Sequence, residues 1–239
     1  MLLVDIGNSR CKWVRAQHGR WSQPQVCDNA ELELLQADML RDPPHRVLLS
    51  NVAGDEVAAR VRAFFAGAPC EPEFIRAEAE RCGVRNGYRV PQQLGSDRWA
   101  ALIAARWRVP GACLVVNCGT ATTVDALSAQ GEFLGGLILP GLSLMLHSLH
   151  ANTAQLNAAG GAAQDFPKET ADAMWSGALR ATQGAIRHQF EALQRREGAV
   201  RCLLGGGAAG RVMQGLPVPA EHFEHMVLHG LQILGEEQA

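Results

Sequence analysis

The chain has 239 residues, of which 47% are hydrophobic and 19% are charged, and its formal net charge is −2. These values describe a globular protein and exclude a disordered chain, a collagen-like repeat and a small disulfide-rich scaffold. A nearly neutral chain offers no basic surface for nucleic acid or for an anionic membrane, so we expect neither as a partner.

The seven cysteines are an odd number, and none shows the C-x-x-C spacing of a zinc ribbon or a redox dithiol. The first residues, MLLVDIGN, lack the basic segment of a signal peptide, and no apolar run reaches the about 18 to 20 residues of a membrane span. We therefore expect a cytoplasmic protein.

The first half alternates short apolar runs with amphipathic segments. Residues 2–5 and 11–16 are predicted to be strands of a hairpin around a Gly-Asn turn, and Asp28 is predicted to cap a helix that ends at residue 41. The elements predicted next are a strand at 46–51, a helix at 55–65, a strand at 73–76 and a helix at 95–108.

The second half repeats this order of strands and helices. Strands are predicted at 114–117, 122–128 and 133–139, helices at 142–149 and 169–195, a strand at 200–204 and a last helix from about residue 221. The Ala/Gly-rich residues 157–164 are expected to form a loop. Strands followed by alternating helices and strands in both halves indicate an α/β fold.

Two segments of the chain resemble each other. Residues 2–9 read LLVDIGNS and residues 114–121 read LVVNCGTA, so Asp5 and Asn117 take equivalent places 112 residues apart. A repeat at close to half the chain length predicts two copies of one fold, with domains at 1–111 and 112–239. Chance similarity of two short strands is the alternative.

The first repeat has the residues of a phosphate site. An Asp at the end of a buried strand is costly unless it is paired, and a Gly-Asn turn can point its N–H groups into one concavity. Asp5 could hold Mg²⁺ directly or through water, and Lys12 could contact phosphate oxygens. The alternative is a plain hairpin in which Asp5 caps its own turn. The Walker and dinucleotide fingerprints are both absent.

Two further glycine-rich places support a nucleotide site. The second repeat continues as Gly119-Thr120, and Gly205-Gly206-Gly207 follows a predicted strand. Two phosphate-binding hairpins that face each other would form a nucleotide clamp, and a glycine cluster lets the backbone approach a ligand.

A third candidate begins the helix predicted at 95–108. Ser96 and Asp97 are ordinary capping and first-turn residues. The same carboxylate could instead accept a proton from an attacking hydroxyl, and Arg98 could hold a substrate carboxylate or phosphate. Tyr88, the only tyrosine of the chain, lies shortly before.

Together these motifs resemble the type III pantothenate kinases, members of the actin/Hsp70/sugar-kinase superfamily. The ordered set spans nearly the whole chain: DIGNS at 5–9 with Lys12, Tyr88, GSDR at 95–98, GTATT at 119–123, GG at 135–136, PG at 140–141, and Thr170 within KETA at 168–171. The resemblance implies duplicated ribonuclease-H-like domains of the actin-like ATPase type, with a nucleotide cleft between them.

The resemblance also implies roles for individual residues. ATP would be contacted by Asp5, Ile6, Gly7, Asn8, Ser9, Arg10, Cys11, Lys12 and Thr120. Pantothenate would be contacted by Tyr88, Gly95, Ser96, Asp97, Arg98 and Thr170. Asp97 would be the general base for ATP-dependent phosphorylation of pantothenate to 4′-phosphopantothenate, the first step of coenzyme A biosynthesis.

The family implies further requirements, namely Mg²⁺, a monovalent cation (K⁺ or NH₄⁺) and a homodimer. Asn117 stands where the family commonly has an Asp that binds the monovalent cation. An amide oxygen can still bind K⁺ but without negative charge, so we expect an altered cation requirement. Glu169, where Asn is more usual, is expected to be tolerated. Two alternatives remain open: another small-molecule kinase of the superfamily, and a non-catalytic nucleotide-binding accessory or regulatory protein.

Overall fold

The structure is a computed structural model, and it describes residues 1–68, 70–151 and 160–237. Its strands and helices in chain order are β1 (Leu2–Ile6), β2 (Arg10–Gln17), β3 (Arg20–Trp21), β4 (Gln25–Asp28), α1 (Glu33–Arg41), β5 (Val47–Asn51), α2 (Asp55–Phe64), β6 (Pro72–Phe74), β7 (Glu80–Arg81), β8 (Val84–Asn86), α3 (Ser96–Arg108), β9 (Ala112–Cys118), β10 (Ala121–Leu127), β11 (Glu132–Pro140), α4 (Leu142–Ala151), α5 (Thr170–Glu197), β12 (Val200–Gly205), α6 (Ala209–Met213), β13 (Glu221–His222) and α7 (Met226–Glu237). Short 3-10 turns, Asn29–Glu31 and Pro91–Gln93, precede α1 and α3.

The chain forms two compact units. The first comprises Met1–Arg108 together with His225–Ala239, and the second comprises Val109–Glu224. Helix α7 therefore belongs to the first unit, an exception to the predicted division at residue 111. The reason is packing: α7 lies so close to α3 that a Cβ on Gly230 would overlap the carbonyl oxygen of Ala100. Arg46 Nη1 also donates to the carbonyl of Gly235, at 2.8 Å.

The sheet of the first unit is built around the β1–β2 hairpin. Strand β1 pairs antiparallel with β2 and parallel with β5, and β5 pairs parallel with β6. On the far side of β2, β3 and β4 pair antiparallel with it. The residues of β1 before Asp5 are fully buried on both faces of the sheet, which accounts for the continuous apolar run.

The second unit repeats this arrangement in five strands, because the order β13-β12-β9-β10-β11 matches β6-β5-β1-β2-β3 in pairing and direction. Strand β9 pairs antiparallel with β10 and parallel with β12, β10 pairs antiparallel with β11, and β12 pairs parallel with β13. The two sheets thus share one topology, with the two repeated segments as their central strands. This confirms the predicted α/β fold of duplicated ribonuclease-H-like domains.

Each sheet packs helices on an apolar face. In the first unit, Val4 and Trp13 belong to a core that includes Leu35 of α1 and Val61 of α2. In the second unit, the buried face of the sheet packs on α5 and α6. Helix α5 is 28 residues long, and a buried stripe that includes Ile186 and Phe190 places it along this core.

Most predicted elements are present, with two corrections. Asp28 makes no side-chain capping bond, because its carboxylate faces Arg10 at 3.6 Å, and α1 begins only at Glu33. The last helix begins at Met226, because Glu221–His222 pairs with β12 as strand β13. Of the predicted loop at 157–164, residues 157–159 lie outside the described residues, and the remainder contains no helix or strand.

Candidate active site

The first glycine turn connects β1 and β2. The N–H of Gly7 donates to the carbonyl of Arg10 at 2.9 Å, which closes the turn. Asp5 lies directly opposite Lys12 in the antiparallel register, so both side chains lie on the same face of the sheet. The structure therefore brings together the two charged residues that the sequence assigned to metal and phosphate.

The carboxylate of Asp5 is in an unfavourable electrostatic environment. Its pKa is raised to about 7, mainly by burial; the Lys12 ammonium lowers the pKa, and the nearby Asp97 carboxylate raises it. A cation bound beside Asp5 would relieve this cost, because it favours the ionised carboxylate. The electrostatic environment of Asp5 thus favours the binding of a cation.

Other residues of the same hairpin lie elsewhere. Ile6 and Cys11 pair in the register one position further on, and both are fully buried on the opposite face of the sheet. Burial strongly raises the pKa of the Cys11 thiol, with a contribution from Cys27. Any contact of Ile6 or Cys11 with a nucleotide would therefore come from the main chain. Arg10 is exposed and faces Asp28.

Asp97 lies in the first turn of α3, where its carboxylate accepts the backbone N–H of Arg98 at 2.8 Å. Burial raises the pKa of Asp97, and the N–H and charge of Arg98 oppose this shift. Gly95 leaves room for the carboxylate, because a Cβ at that position would lie 2.6 Å from Asp97 Oδ1. This packing explains the Gly-Ser-Asp order, which helix capping alone did not.

A buried hydroxyl contact connects the start of α3 with the sheet. Ser96 Oγ lies 2.9 Å from Ser50 Oγ, and Ser50 is the neighbour of Asp5 in the parallel β1–β5 register. Ser50, Asp5 and Lys12 thus occupy adjacent places on one face of the sheet. Sequence reasoning missed Ser50, whose only signal is a serine inside the apolar run of β5.

Arg98 and Tyr88 form a pair. Arg98 is buried, with 6% of its surface exposed, and its Nη1 donates to the Tyr88 hydroxyl at 2.9 Å. It also lies over the tyrosine ring, 5.7 Å from the centroid. The turn that carries Tyr88 is fixed by Asn86, whose Oδ1 accepts the N–H of Tyr88 at 3.1 Å. The structure therefore brings together two residues that the sequence separates by ten positions.

The second glycine turn connects β9 and β10 in the second unit. The N–H of Gly119 donates to the carbonyl of Ala121 at 3.0 Å, and Thr120 is exposed at the tip. Asn117 lies opposite Thr123 in the register. Gly206 packs against this place, because a Cβ there would lie 2.6 Å from Asn117 Oδ1. The glycine cluster after β12 thus lies against the second repeat, as a close backbone approach requires.

Asp125 is an acidic residue that sequence reasoning missed. It is buried, with 2% of its surface exposed, and it lies two residues beyond Thr123 on the same face of β10. Its signal in the sequence is an acid within an apolar strand. Thr170, by contrast, is the exposed first residue of α5.

Asn29 is a third residue without a sequence-based assignment. Its side-chain Nδ2 donates to the carbonyl of Gly7 at 2.7 Å, and its backbone N–H donates to the carbonyl of Ser9 at 3.0 Å. Asn29 follows β4, and nothing in the sequence connects it with a turn more than 20 residues earlier.

Within the described part of the chain, no three His, Cys, Asp or Glu side chains cluster as a metal site. No helix among residues 1–68, 70–151 and 160–237 is both long and apolar enough to span a membrane.

Comparison with known proteins gives consistent results. The family model for type III pantothenate kinase matches residues 1–192. The chain is 46% identical to a type III pantothenate kinase of Aromatoleum aromaticum, over 100% of this chain and 99% of that protein. It is 44% identical to a type III pantothenate kinase of Nitrosospira multiformis, over 99% of this chain and 91% of that protein.

Solved structures with the same fold are more distant in sequence. A proposed Baf family transcriptional activator from Campylobacter jejuni has a TM-score of 0.64 at 21% identity, with 100% of this chain and 99% of that chain covered. An inorganic polyphosphate/ATP-glucomannokinase from an Arthrobacter strain has a TM-score of 0.52 at 13% identity, with 100% and 99% covered. At these identities the likeness concerns the fold alone.

Proposed function

The chain belongs to the type III pantothenate kinase family, and we propose that Asp97 is the general base with which it phosphorylates pantothenate. The enzyme transfers the γ-phosphoryl group of ATP to pantothenate in coenzyme A biosynthesis, a nucleotide-dependent reaction that needs a divalent metal. The observation that carries the role of Asp97 is its position at the start of α3, where the preceding Ser96 contacts Ser50 Oγ at 2.9 Å and Ser50 is the register neighbour of Asp5.

The proposed reaction is an in-line displacement. Asp97 accepts the proton of the pantothenate hydroxyl while the hydroxyl oxygen bonds to the γ-phosphorus. The bond from that phosphorus to the β–γ bridging oxygen breaks, and ADP leaves. A raised pKa makes the Asp97 carboxylate a better proton acceptor than an exposed aspartate. The remaining barrier is lowered by positioning and by neutralisation of phosphoryl charge.

Pantothenate carries a carboxylate, and we propose that Arg98 binds it. A guanidinium presents a planar fork of donors that matches a carboxylate. The Tyr88 hydroxyl accepts a hydrogen bond from one of these donors, so it orients the guanidinium. Gly95, Ser96 and Thr170 are proposed as further contacts of pantothenate.

The residues of the first glycine turn, Asp5 to Lys12, are proposed to contact ATP together with Thr120. Asp5 is the proposed holder of Mg²⁺, directly or through water. The donor set fits: oxygen ligands suit Mg²⁺, which keeps several waters and binds through one or two carboxylates plus phosphates. The pKa of about 7 at Asp5 reflects burial of the carboxylate that the charge of Lys12 offsets only in part. When bound, the metal would neutralise phosphate charge.

A monovalent cation, K⁺ or NH₄⁺, is proposed to bind beside Asn117. The neutral donors there are the Asn117 amide and the hydroxyl of Thr123 opposite it, and the carbonyl of Cys118 lies near Gly206. Such a site suits a weakly held cation because it adds no formal charge of its own.

The enzyme is further proposed to be a cytoplasmic homodimer. Strand β11 and helix α4 expose Ile138, Leu144 and Leu149, at 63%, 47% and 41% of their surface, and within α4 only Leu142 is buried. Large apolar side chains exposed to this extent suit a subunit interface. A mass measurement by light scattering tests the dimer, and Leu144→Arg is expected to yield monomers. All seven cysteines are free thiols, which fits a reducing compartment.

The deciding experiment is an ATP-coupled assay of the purified protein, with Mg²⁺ and K⁺, over a panel of small alcohols and acids that includes pantothenate. Asp97→Asn should lower kcat about a hundredfold or more while ADP still binds, because the amide cannot accept the proton. The matched control is Asp55→Asn, an exposed first-turn aspartate of α2, which should leave turnover unchanged.

Each outcome has a distinct meaning. Absence of turnover with pantothenate would contradict the function, and ADP binding without turnover of any acceptor would favour a non-catalytic nucleotide-binding protein. Turnover of another acceptor alone would favour a different small-molecule kinase. Full activity of Asp97→Asn would remove only the assignment of the base.

A further inference from the structure

The first glycine turn is held from outside its own hairpin. Asn29 contacts it twice, through Nδ2 to the carbonyl of Gly7 at 2.7 Å and through its backbone N–H to the carbonyl of Ser9 at 3.0 Å. Both residues at the ends of the turn therefore have their carbonyl oxygens tied to one residue. Within the hairpin itself, the bond from the Gly7 N–H to the Arg10 carbonyl closes the turn.

The side chain of Asn29 has a single orientation that satisfies Gly7. A carbonyl can only accept, so the atom that faces it must be the amide nitrogen. The other side-chain atom, Oδ1, is then buried without a hydrogen-bond partner among the residues that the structure describes. An unpaired buried acceptor costs free energy, but the opposite orientation would cost more, because it would set Oδ1 against the Gly7 carbonyl and leave that carbonyl without the Nδ2 donor.

Asn29 is itself supported by α2. Arg60 Nη1 donates to the carbonyl of Asn29 at 3.1 Å, and the same guanidinium forms an ion pair with Glu33 at the start of α1. A connected series of contacts thus runs from α2 through Asn29 to the glycine turn, and every member lies in the first unit.

The direction of these bonds matters for an anionic ligand. In a trans peptide the C=O and the next N–H point in opposite directions. Because Asn29 holds the carbonyl of Gly7, the N–H of Asn8 points to the side of the turn away from Asn29. Carbonyl oxygens repel phosphate, whereas N–H groups attract it. Asn29 therefore holds the carbonyl oxygens of the turn on its own side and leaves the N–H of Asn8 on the other side, where it can bind an anionic ligand.

We infer that Asn29 is a positioning residue that holds the Gly7–Ser9 turn in the shape that binds ATP phosphates, with Arg60 as its support. The inference rests on the proposed function, which assigns this turn to ATP. Asn29 lies outside the repeat, on the segment after β4. That segment is not among those proposed to contact the reacting groups, and it resembles no nucleotide motif.

The test is Asn29→Asp, which keeps the size of the side chain but replaces the donor with a second acceptor. The resulting repulsion at Gly7 should raise the KM for ATP about tenfold or more, while the KM for pantothenate and kcat stay within about twofold. A merely structural role would not separate the two KM values. The matched control is Gln25→Glu, the same amide-to-acid change at an exposed residue of β4 whose side chain donates to the carbonyl of Gln23, and it should change neither KM.

A second variant covers the case in which Asn29→Asp does not fold. Arg60→Met removes the support from α2 and should raise the KM for ATP about threefold, with the KM for pantothenate unchanged and the thermal midpoint recorded beside it. If the folded variants keep the wild-type KM for ATP, or raise both KM values equally, the inference is overturned. A wild-type protein that does not phosphorylate pantothenate would instead contradict the proposed function, and calorimetric ADP binding by the same variants then decides the role of Asn29.

Discussion

The two glycine turns have the same place in the same sheet topology, yet they are held and charged differently. The first carries Asp5 opposite Lys12 and is held by the Asn29 side chain. The second carries Asn117 opposite Thr123, and Gly141 and Gly206 pack on it so closely that neither has room for a Cβ. The Asn29 side chain thus helps to hold the first turn, whereas close backbone approach holds the second, where the N–H groups of Gly141 and Ala208 donate to the carbonyls of Thr120 and Cys118 at 2.9 and 3.1 Å.

The largest effect on activity is expected from removing the charge difference between the two turns. Asp5→Asn gives the first turn the neutral residue of the second, and it should lower kcat/KM about a thousandfold, or about 4 kcal/mol of transition-state stabilisation, because a metal-binding carboxylate is lost. Steady-state kinetics at saturating Mg²⁺ measure this. Activity within tenfold of wild type would mean that the charge of Asp5 is not used.

The same substitution should change how stability depends on pH. The pKa of Asp5 rises on folding from 3.8 to about 7, so the folded state holds the proton more tightly than the unfolded state. The nucleotide-free protein should therefore lose up to about 3 kcal/mol of stability as pH rises from about 4 to about 7. Urea unfolding across this range should show a smaller loss for Asp5→Asn, which at pH 8 should be more stable than wild type. Parallel profiles for the two proteins would contradict this account.

An added methyl group should destabilise the protein more at the second turn than at the first. Gly141→Ala places a Cβ against the carbonyls of Gly119 and Thr120, and should lower the free energy of unfolding by about 2 kcal/mol. Gly7→Ala should cost less than about 1 kcal/mol, because its Cβ would meet only the Arg10 carbonyl at 3.4 Å. Chemical denaturation of both variants measures the difference, and equal losses would mean that close packing does not distinguish the turns.

The smallest expected effect restores charge to the second turn. Asn117→Asp should lower the K⁺ concentration for half-maximal activity about fivefold, or about 1 kcal/mol, because a carboxylate binds a cation more strongly than an amide. The control is Gln130→Glu, the same change at an exposed residue between β10 and β11. A titration that superimposes on that of the wild type would place the cation elsewhere.

The sequence predicted the fold well where short-range patterns decide it. Both hairpins follow from an apolar run, a glycine turn and a second apolar run, and the structure has them as β1–β2 and β9–β10. The start of α7 was wrong because two residues that could continue a helix are instead taken up by pairing with β12. The cap at Asp28 was wrong because an exposed arginine of the neighbouring strand faces that carboxylate.

The candidate site was predicted in part for the same reason. Asp5, Lys12 and Asp97 lie in motifs that have a local shape, and the contact of Arg98 with Tyr88 agrees with their common assignment to one substrate. Ser50 and Asn29 have no local motif. Ser50 contacts Ser96, 46 positions later, and Asn29 contacts Gly7, 22 positions earlier. No short sequence pattern encodes contacts over such separations.

The sequence by itself thus determined the duplicated hairpins, the α/β order and the residues that carry charge to the site, because apolar periodicity and glycine turns act over a few residues. Only the tertiary structure decided that α7 returns to the first unit, that Ser50 contacts the start of α3, and that Asn29 holds the first turn. These depend on backbone approach at Gly230 and on hydrogen bonds between distant segments, which exist only once the first unit has folded and brought those segments together.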